Sequence, residues 1–503
     1  MWRKTFRKNI LQLKERKIST GWVRKGSSNV KVNIYTCDVA IIGGGFCGCM
    51  VAAQLMKQAE GKLNILLIEK GAVPARGVAY GTLDPFHILN VPANKMGAYP
   101  EVPDHFFQWL AEHQNAWRHS DPTFAGIELT PHSYVPRHLY GFYLSNILSE
   151  ASLESLEKGV QLDLLHDEAV DIQPNLCNTL ELILASGEKV EAQKVILAIG
   201  LPTTRTFPSK GAQNSFHTLW SMKREHPLQG AHLDYLSKEM TVGIIGTGLT
   251  MVDAAVSLFE RGFPGKIFAI SKEGRLPETH KGEILNLDPL TACPLTAKGF
   301  LQMLRQEINK RKENGEDWRP IIDKLREQIP IFWSHFSLDE RKKVFKWLLP
   351  LWNRYRHRMP NSLAAVLQRA VEGKKLEILA GKVIGVEGMG DKTAIKYILK
   401  GEDNPQAINV DYVLNCSGPE LRLEQNPLPL IKNLVKRGMI SPHDTGVGLA
   451  VGSDYSVKGP LEGSLYAVGQ LLMGEFFEAG AVPELRRHCA QLSEECLKVR
   501  SGV

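Results

Sequence analysis

A glycine-rich turn between two apolar runs, within residues 37–70, constrains this chain more than any other stretch. The run Asp38–Ile42 predicts a strand, and residues 43–48 then have the spacing G-x-G-x-x-G. A helical pattern from about Cys49 to Gln58 leads into a second apolar run, Ile65–Ile68, which ends on Glu69. Strand, glycine turn, helix and strand in this order predict a βαβ unit within a Rossmann-like parallel sheet.

The three motif glycines have different physical roles. Gly43 makes the tight turn, Gly45 lets a pyrophosphate approach the backbone because it has no Cβ, and Gly48 lets helix and strand pack closely. The helix N-terminus offers free N–H groups and the positive end of its dipole to phosphates. Glu69 can accept hydrogen bonds from a ribose diol. These features predict an adenine dinucleotide site, and the alternative is a tight strand–helix turn that binds nothing.

A second glycine turn makes the chain an internal repeat. Gly246 and Gly248 occupy the first two motif positions, and Met251 occupies the third. Each half continues through a β-meander into an apolar strand that ends in glycine, at Gly200 and at Gly418. The repeat predicts an α/β fold with two Rossmann-like dinucleotide-binding domains.

The predicted domain boundaries follow from this repeat. The first dinucleotide-binding domain is assigned to residues 35–205 and is completed by residues 420–503, and the second is assigned to residues 206–419. Within the second, residues 296–372 show a helical pattern rich in Lys, Arg and Trp and are predicted to form an insert. A C-terminal helix is predicted to begin near Val482, because a proline follows it at a first-turn position.

Composition and hydropathy place the chain among globular proteins. Its 503 residues are 43% hydrophobic and 23% charged, which is ordinary for a protein of two or three domains. No apolar run approaches the roughly 20 residues of a membrane-spanning helix, and the N-terminus has no apolar signal-peptide region. We therefore expect a cytoplasmic protein without a transmembrane segment.

The net charge of +7 is concentrated at the N-terminus. Residues 1–32 contain ten Lys or Arg and one acid, Glu15, for a net +9, and subtracting this from +7 leaves −2 for the rest. The near-neutral body gives no reason to expect a nucleic-acid-binding surface. Residues 1–34 are predicted to be a basic, solvated and disordered arm, and the alternatives are contact with a membrane surface or a partner, or a targeting segment.

The eight cysteines argue against metal and disulfide chemistry. None of them forms a C-x-x-C pair, and no Cys/His spacing indicates zinc. A reduced protein without a metal site or a redox-active cysteine pair is the expectation.

Five short motifs resemble a group of two-dinucleotide-binding-domain flavoproteins called FAD/NAD(P)-binding proteins, which are related to class B flavin monooxygenases. The motifs are residues 77–80 (GVAY), 87–93 (HILNVPA), 135–137 (VPR), 246–250 (GTGLT) and 415–419 (NCSGP). The resemblance covers nearly all of the chain after about residue 35. It implies FAD at the first glycine turn and NAD(P)H at the second, and it adds Gly77 and Gly469 to the candidate cofactor-binding residues. Related reductases have an acid after the glycine that matches Gly469, and Gln470 replaces it here.

Three polar residues are candidates for contact with the flavin, the nicotinamide or a substrate. Asn90 offers both a donor and an acceptor. Arg137 stands at a loop-to-helix step, where it can meet a phosphate or a flavin carbonyl. His357 joins the helical insert to the next helix. The structural alternatives are a turn-capping Asn, a salt-bridged Arg and a solvated basic turn.

The end of the second strand in the second half predicts which nicotinamide is used. The counterpart of Glu69 lies near Ser271, where no acid stands, and Lys272, Glu273 and Arg275 follow within four residues. A hydroxyl with nearby cations favours the 2′-phosphate of NADPH, whereas an acid favours the ribose diol of NADH. Ser271, Lys272 and Arg275 are therefore the predicted phosphate ligands, and the alternative is a solvated surface turn.

Three functions remain open from the sequence. The two-domain plan without a cysteine pair favours an FAD-dependent, NADPH-linked monooxygenase of small molecules, in which the flavin takes hydride from the nicotinamide. An NADPH dehydrogenase or reductase that does not activate oxygen and a non-catalytic FAD/NAD(P)-binding sensor are the alternatives. Phe207, Gly211, His217 and Trp220 only partly match a motif of Baeyer–Villiger-type monooxygenases.

Overall fold

The structure is a computed structural model, and it divides the chain into two compact units. Unit 1 contains residues 1–83, 91–202 and 421–503, and unit 2 contains residues 84–90 and 203–420. Segment 84–90, which the predicted boundaries assign to the first domain, therefore belongs to unit 2. For residues 19–25, 28–32 and 216–217 only the backbone is described. The described residues are 19–25, 28–71, 73–177, 179–200, 204–211, 216–217, 238–281 and 295–498.

Strands and α-helices follow each other in the order expected for two βαβ-containing halves. The strands are β1 (Ser19–Lys25), β2 (Ser28–Ile42), β3 (Leu63–Ile68), β4 (Val160–Leu165), β5 (Ala169–Pro174), β6 (Leu180–Leu184), β7 (Lys189–Leu197), β8 (Ser209–Lys210), β9 (Phe216–His217), β10 (Thr241–Ile245), β11 (Lys266–Ser271), β12 (Leu376–Met389), β13 (Lys392–Leu399), β14 (Pro405–Val410), β15 (Tyr412–Asn415) and β16 (Leu465–Ala467). The helices are α1 (Phe46–Gln58), α2 (Gly77–Tyr80), α3 (His105–Glu112), α4 (Gln114–Arg118), α5 (Arg137–Ser155), α6 (Leu249–Glu260), α7 (Ala297–Glu313), α8 (Arg319–His335), α9 (Leu338–Lys343), α10 (Leu349–Arg356), α11 (Asn361–Glu372), α12 (Pro429–Lys436) and α13 (Val482–Leu497).

Unit 1 is built on a sheet with a parallel core and an antiparallel side. The strand order is β4-β3-β2-β7-β6-β5, with β1 paired to β2 and β16 paired to β7. Strands β2, β3, β4, β7 and β16 run parallel, whereas β5 and β6 form an antiparallel meander beside β7. The central strands are aliphatic and buried, as Val39–Ile42 and Ile65–Ile68 show. Both faces of a parallel sheet are covered, so such strands are apolar throughout.

Helices α1 and α13 pack together in unit 1. Ten residues of α1 are buried, because its small and apolar side chains suit a helix that is covered nearly all round. Ser493 of α13 donates a hydrogen bond to the carbonyl of Val51 at 3.3 Å. The predicted C-terminal helix is present, and it begins at Val482 with proline in its first turn.

The N-terminal arm is partly strand. Residues 19–25 pair antiparallel with residues 28–34 at the start of β2, which then continues to Ile42. This finding corrects the prediction of a disordered tail for residues 19–25 and 28–34, because strand pairing gives many of their backbone N–H and C=O groups hydrogen-bond partners. Residues 1–18 of the predicted arm lie outside the described part of the chain.

Unit 2 repeats the parallel core of unit 1 and adds a longer meander. Its order is β14-β13-β12-β11-β10-β15-β9, with β8 paired to β12. Strands β11, β10 and β15 are parallel, as are β11 and the first half of β12, and the second half of β12 pairs antiparallel with β13. In each unit a glycine turn stands at the carboxyl end of a central strand, after β2 in unit 1 and after β10 in unit 2.

The helical insert is shorter than the prediction of residues 296–372. Its last helix, α11, buries Leu363 and Leu367 in the same apolar core as Val252 and Val256 of α6. Because α11 leads directly into β12, which is parallel to β11, it is the crossover helix between these two strands of the unit 2 sheet. No helix in the described ranges has the length and apolarity needed to cross a bilayer.

Candidate cofactor sites

Two glycines of the first turn are required by the protein itself. Gly43 has φ +102°, and a Cβ built on it would lie 2.6 Å from the carbonyl oxygen of Ala198. A Cβ on Gly48 would overlap the carbonyl oxygen of Gly43. Any side chain at these positions would push α1 away from the sheet. The predicted roles of Gly43 in the turn and of Gly48 in helix packing agree with this geometry.

Gly45 has no such structural requirement. Its φ of −77° is open to any residue. The nearest atom to a Cβ built on it is the Cα of Gly77 at 3.6 Å, an ordinary van der Waals contact. Gly45 is also the N-cap of α1 and lacks a side-chain cap, so the first N–H groups of this helix remain available to an anion. Close approach of a ligand is the physical reason that remains for glycine at this position.

The GVAY segment and Arg137 stand beside this turn. Gly77 has φ +53° and packs on Gly45, and a Cβ on it would lie 2.9 Å from the Gly45 Cα. Tyr80 packs against Tyr140 of α5 with ring centroids 4.6 Å apart. Burial raises the pKa of Tyr80 to about 12, and the positive charge of Arg137 acts in the opposite direction. The structure thus brings Gly77 onto Gly45, and it places Arg137 within electrostatic range of Tyr80 in the same segment of unit 1.

Glu69 is fixed against the glycine turn. Its Oε2 accepts a hydrogen bond from the Gly44 N–H at 2.5 Å, and its Oε1 accepts one from the Gly71 N–H at 2.6 Å. Each carboxylate oxygen has a further lone pair, so the same group can still accept from a ribose diol. Gly469 also reaches this region, since a Cβ on it would lie 3.3 Å from the Cys47 Sγ in α1.

The second turn reproduces the first one in detail. The N–H of Gly43 donates to Ile68 O at 2.8 Å, and the N–H of Gly246 donates to Ile270 O at 2.7 Å. Gly246 has φ +103°, and a Cβ on it would overlap the carbonyl oxygen of Cys416. No atom of the described residues lies within 4 Å of a Cβ built on Gly248, which is the uncapped N-cap of α6.

The candidate 2′-phosphate residues are tied to this second turn. Ser271 Oγ donates to Thr247 Oγ1 at 2.8 Å, because the Thr247 hydroxyl gives its proton to the carbonyl of Arg275 at 2.7 Å. The N–H of Gly274 donates to Ser271 Oγ at 3.1 Å. Ser271 is therefore held at the turn, while the side chains of Lys272 and Arg275 are exposed.

Gly200 and Gly418 follow the strands β7 and β15, which pair with the central strands of the two units. They have φ values of +64° and +87°, so glycine is favoured at both positions. The Asn415 side chain donates to Thr204 Oγ1 and to Arg205 O, both at 2.9 Å. This contact fixes the start of the chain segment that enters unit 2.

Asn90 is linked through His280 to Met359, which follows His357 by two residues in unit 2. The carbonyl of Asn90 accepts a hydrogen bond from His280 Nε2 at 3.0 Å, and the N–H of His280 donates to Met359 O at 3.1 Å. Burial lowers the pKa of His280 to about 4, so it is neutral and can donate in this way. The side-chain amide of Asn90 has no hydrogen-bond partner among the described residues, so it remains available to a ligand.

His357 is held as a neutral acceptor. Its Nε2 accepts a hydrogen bond from the Arg356 guanidinium at 2.6 Å. Burial, with Arg356 and Arg326 adding to it, lowers the pKa of His357 well below its usual value. With Nε2 occupied, the neutral ring has its Nδ1–H left as a hydrogen-bond donor, so His357 suits orientation of a ligand better than proton acceptance.

The structure also assigns a role to residues that the sequence did not single out. Asp84 accepts from Ser257 Oγ of α6 and pairs with Arg261 Nη2 at 3.0 Å, and His87 Nε2 lies 3.8 Å from the same carboxylate. This network attaches segment 84–90, and so Asn90, to α6. The local sequence holds no signal for it, since the partners lie more than 170 residues apart.

The partial Baeyer–Villiger-type match has little structural content. Phe207 packs against the apolar core formed by β12, β13 and β15. His217 is described only as backbone of β9, and Trp220 lies outside the described residues.

Comparisons with known proteins agree with this architecture. Residues 40–202 match the family model described as FAD-NAD(P)-binding, so this stretch of unit 1 is similar to that family. No curated protein matches the chain in sequence. The predicted resemblance and the predicted fold of two Rossmann-like dinucleotide-binding domains are confirmed.

Three solved structures with a similar fold are distant from this chain in sequence. An ornithine N-hydroxylase from Kutzneria sp. 744, in a complex with reduced FAD, NADP⁺ and L-ornithine, is 14% identical with a TM-score of 0.59, over 92% of this chain and 99% of that one. A cadaverine monooxygenase from Erwinia amylovora with bound FAD is 13% identical with a TM-score of 0.60, over 92% and 94%. A bacillithiol disulfide reductase from Staphylococcus aureus is 15% identical with a TM-score of 0.52, over 92% and 98%.

Proposed function

We propose that this chain is an FAD-dependent, NADPH-linked oxidoreductase of the flavin monooxygenase type that acts on a small molecule. The observation that carries the proposal is the pair of glycines, Gly45 and Gly248, that the fold itself does not require. Both stand at the uncapped N-terminus of a helix that follows a central strand, where a pyrophosphate binds in Rossmann-like folds.

FAD would be held by unit 1. The N–H groups at the start of α1 would bind its pyrophosphate, and Glu69 would accept hydrogen bonds from the adenosine ribose. Gly77 and Arg137 stand close enough to the turn to contact the same cofactor. When bound, the flavin supplies hydride acceptance from a nicotinamide and electron transfer to oxygen or another acceptor.

NADPH would be held by unit 2. The N–H groups at the start of α6 would bind its pyrophosphate, and Ser271, Lys272 and Arg275 would contact the 2′-phosphate. Asn90, with its amide available, and the neutral His357 are the proposed polar contacts to the reacting groups. His357 would donate a hydrogen bond from its Nδ1–H and so orient a bound group, since Arg356 already donates to its Nε2.

The monooxygenase reaction is favoured over a simple reductase by two considerations. The cysteines that the structure describes are all free thiols, and the sequence contains no C-x-x-C pair. The similar solved structures include an ornithine N-hydroxylase and a cadaverine monooxygenase. Primary amines and diamines are therefore the first substrates to test.

The experiment that tests the proposal measures flavin content, NADPH oxidation and oxygen consumption by purified protein. We expect a yellow protein that consumes oxygen in the presence of NADPH. Without a substrate it should release hydrogen peroxide, and with a substrate amine it should form hydroxylated product instead. Turnover with a quinone or dye acceptor but without oxygen consumption would identify a reductase instead. A colourless protein that takes up no added FAD would contradict the whole proposal.

A further inference from the structure

The loop that carries the candidate phosphate ligands also contains an acid that opposes them. Glu273 stands between Lys272 and Arg275, and its carboxylate would repel a 2′-phosphate bound at this loop. The structure shows where this charge is directed. Glu273 Oε2 accepts a hydrogen bond from Lys400 Nζ at 2.6 Å.

Lys400 is placed for this contact by its backbone. It follows β13, and its N–H donates to Ala380 O at 2.9 Å. Ala380 in β12 pairs with Ser271 at the end of β11. Gly274 packs on the same residue, because a Cβ built on it would lie 2.7 Å from the Ala380 N. The loop and Lys400 are thus both fixed to Ala380.

The backbone of the loop turns between Glu273 and Arg275. Gly274 has φ +57°, a left-handed conformation between Glu273 and Arg275. The carbonyl of Arg275 faces Thr247 of the glycine turn, whereas the carboxylate of Glu273 faces Lys400. The contact with Lys400 holds the pKa of Glu273 below its usual range, which favours the ionised carboxylate.

We infer that Lys400 is a specificity residue of the nicotinamide site, which acts by holding Glu273 away from the 2′-phosphate. This inference rests on the proposed binding of NADPH at residues 271–275. Lys400 acts through Glu273 and is therefore a positioning residue. Without it, Glu273 is free to turn toward the phosphate ligands, and the preference for a 2′-phosphate falls.

A double-mutant cycle tests this with two nucleotides that differ only in the 2′-phosphate. Binding of 2′,5′-ADP and of 5′-AMP to the FAD-loaded protein is measured by calorimetry for wild type, Lys400→Gln, Glu273→Gln and the double variant. The ion pair is exposed, so we expect Lys400→Gln to lower the preference for 2′,5′-ADP by about two- to fivefold. In the Glu273→Gln background the same change should have no effect.

A second exposed ion pair supplies the matched control. Lys266 pairs with Glu377 at 2.6 Å, at the opposite end of β11 from Ser271. Lys266→Gln removes the same charge from unit 2 and should leave the preference unchanged. If Lys400→Gln lowered the preference for 2′,5′-ADP equally in wild type and in the Glu273→Gln variant, the inference would be overturned, since Lys400 would then contact the phosphate directly. No loss in either background would overturn it as well.

The failure of the proposed function has a different signature. If residues 271–275 do not bind the phosphate, wild type shows no preference for 2′,5′-ADP over 5′-AMP, and Arg275→Ala changes neither affinity. If only the role of Lys400 is wrong, wild type prefers 2′,5′-ADP, and Arg275→Ala reduces that preference while Lys400→Gln does not.

Discussion

At the scale of single residues, the glycines of one motif fall into two classes. Gly43 and Gly246 have left-handed backbone and face a carbonyl oxygen, so the fold requires them. Gly45 and Gly248 have ordinary backbone angles and room for a Cβ. Sequence alone gives all four the same letter. The second class can be substituted without disturbing the protein, and this makes ligand binding testable apart from folding.

Gly45→Val should abolish FAD binding and leave the fold intact. The added side chain projects from the N-cap of α1, where the pyrophosphate would approach the backbone. The measurements are the flavin absorbance of the purified variant and its circular dichroism. Gly61→Val is the control, since Gly61 is exposed and no described atom lies within 4 Å of its built Cβ. A yellow Gly45→Val protein would contradict the assignment.

Lys272→Ala with Arg275→Ala should cost at least about tenfold in NADPH affinity, because each charge-assisted contact contributes roughly 1.5–3 kcal/mol. NADH affinity should stay the same, since NADH has no 2′-phosphate. Steady-state kinetics with both nucleotides measure this. Lys298→Ala with Lys310→Ala, two exposed lysines of the insert, removes the same net charge as a control. Equal or better use of NADH by wild type would refute the NADPH assignment.

At the scale of elements, the two βαβ units are similar but not interchangeable. The third motif position is Gly48 in α1, where a Cβ would overlap backbone, and Met251 in α6, where a whole side chain is fully buried. Helix α1 therefore lies close to its turn, whereas the Met251 side chain fills the corresponding space at α6. The same position thus has opposite size requirements in the two halves.

Because of this difference, replacing either Gly48 or Met251 with alanine should destabilise the folded protein, for opposite reasons. Gly48→Ala overpacks α1 and should cost about 1–3 kcal/mol or more. Met251→Ala leaves a cavity and should cost about 2–5 kcal/mol. Thermal unfolding of each variant measures the loss, and Met251→Leu, which restores most of the volume, should recover most of the stability. A Gly48→Ala protein as stable as wild type would contradict the observed packing.

The contact between His280 and Asn90 adds a pH dependence to the attachment of segment 84–90. The folded-state pKa of His280 is lowered from 6.5 to about 4, so its contribution to stability is fully present above about pH 6.5 and is lost as pH falls toward 4. At pH 5 the loss is about 2 kcal/mol relative to neutral pH. His280→Gln, which stays uncharged, should unfold with a weaker pH dependence between pH 7.5 and 5. An unchanged dependence would show that His280 is not the titrating group.

At the scale of the whole molecule, the chain forms two units that each have their own glycine turn and their own apolar core. The chain passes from one unit to the other at residues 83–84, 90–91, 202–203 and 420–421. Each unit is thus made of segments that are distant in sequence. The proposed cofactors would occupy different units, so their binding should be separable by substitution.

Gly248→Val should abolish NADPH binding while the protein keeps its full flavin content. Gly45→Val should do the reverse, and the apoprotein should still bind 2′,5′-ADP. Absorbance spectra and calorimetry on both variants measure this. Loss of both ligands in either variant, with an unchanged circular dichroism spectrum, would contradict two independent sites.

The sequence by itself determined the repeat, the position of both glycine turns and the ends of the central strands. These features are local, because glycine at a positive φ and an apolar run that ends in a turn restrict only neighbouring residues. Strand β1, the first part of β2 and the crossover role of α11 escaped this reasoning. A basic charge is compatible with a free arm, and a helical period is compatible with an insert. Only the strand pairing in the folded chain shows that these segments belong to the two sheets.

The tertiary structure alone decided which distant groups meet. Asn90 with His280, Asp84 with Arg261 and Glu273 with Lys400 are each joined across more than a hundred residues of chain. Such contacts depend on how the strands, helices and loops of unit 2 pack together. No pattern in the neighbouring residues encodes that packing, so these partners became visible only in the folded chain.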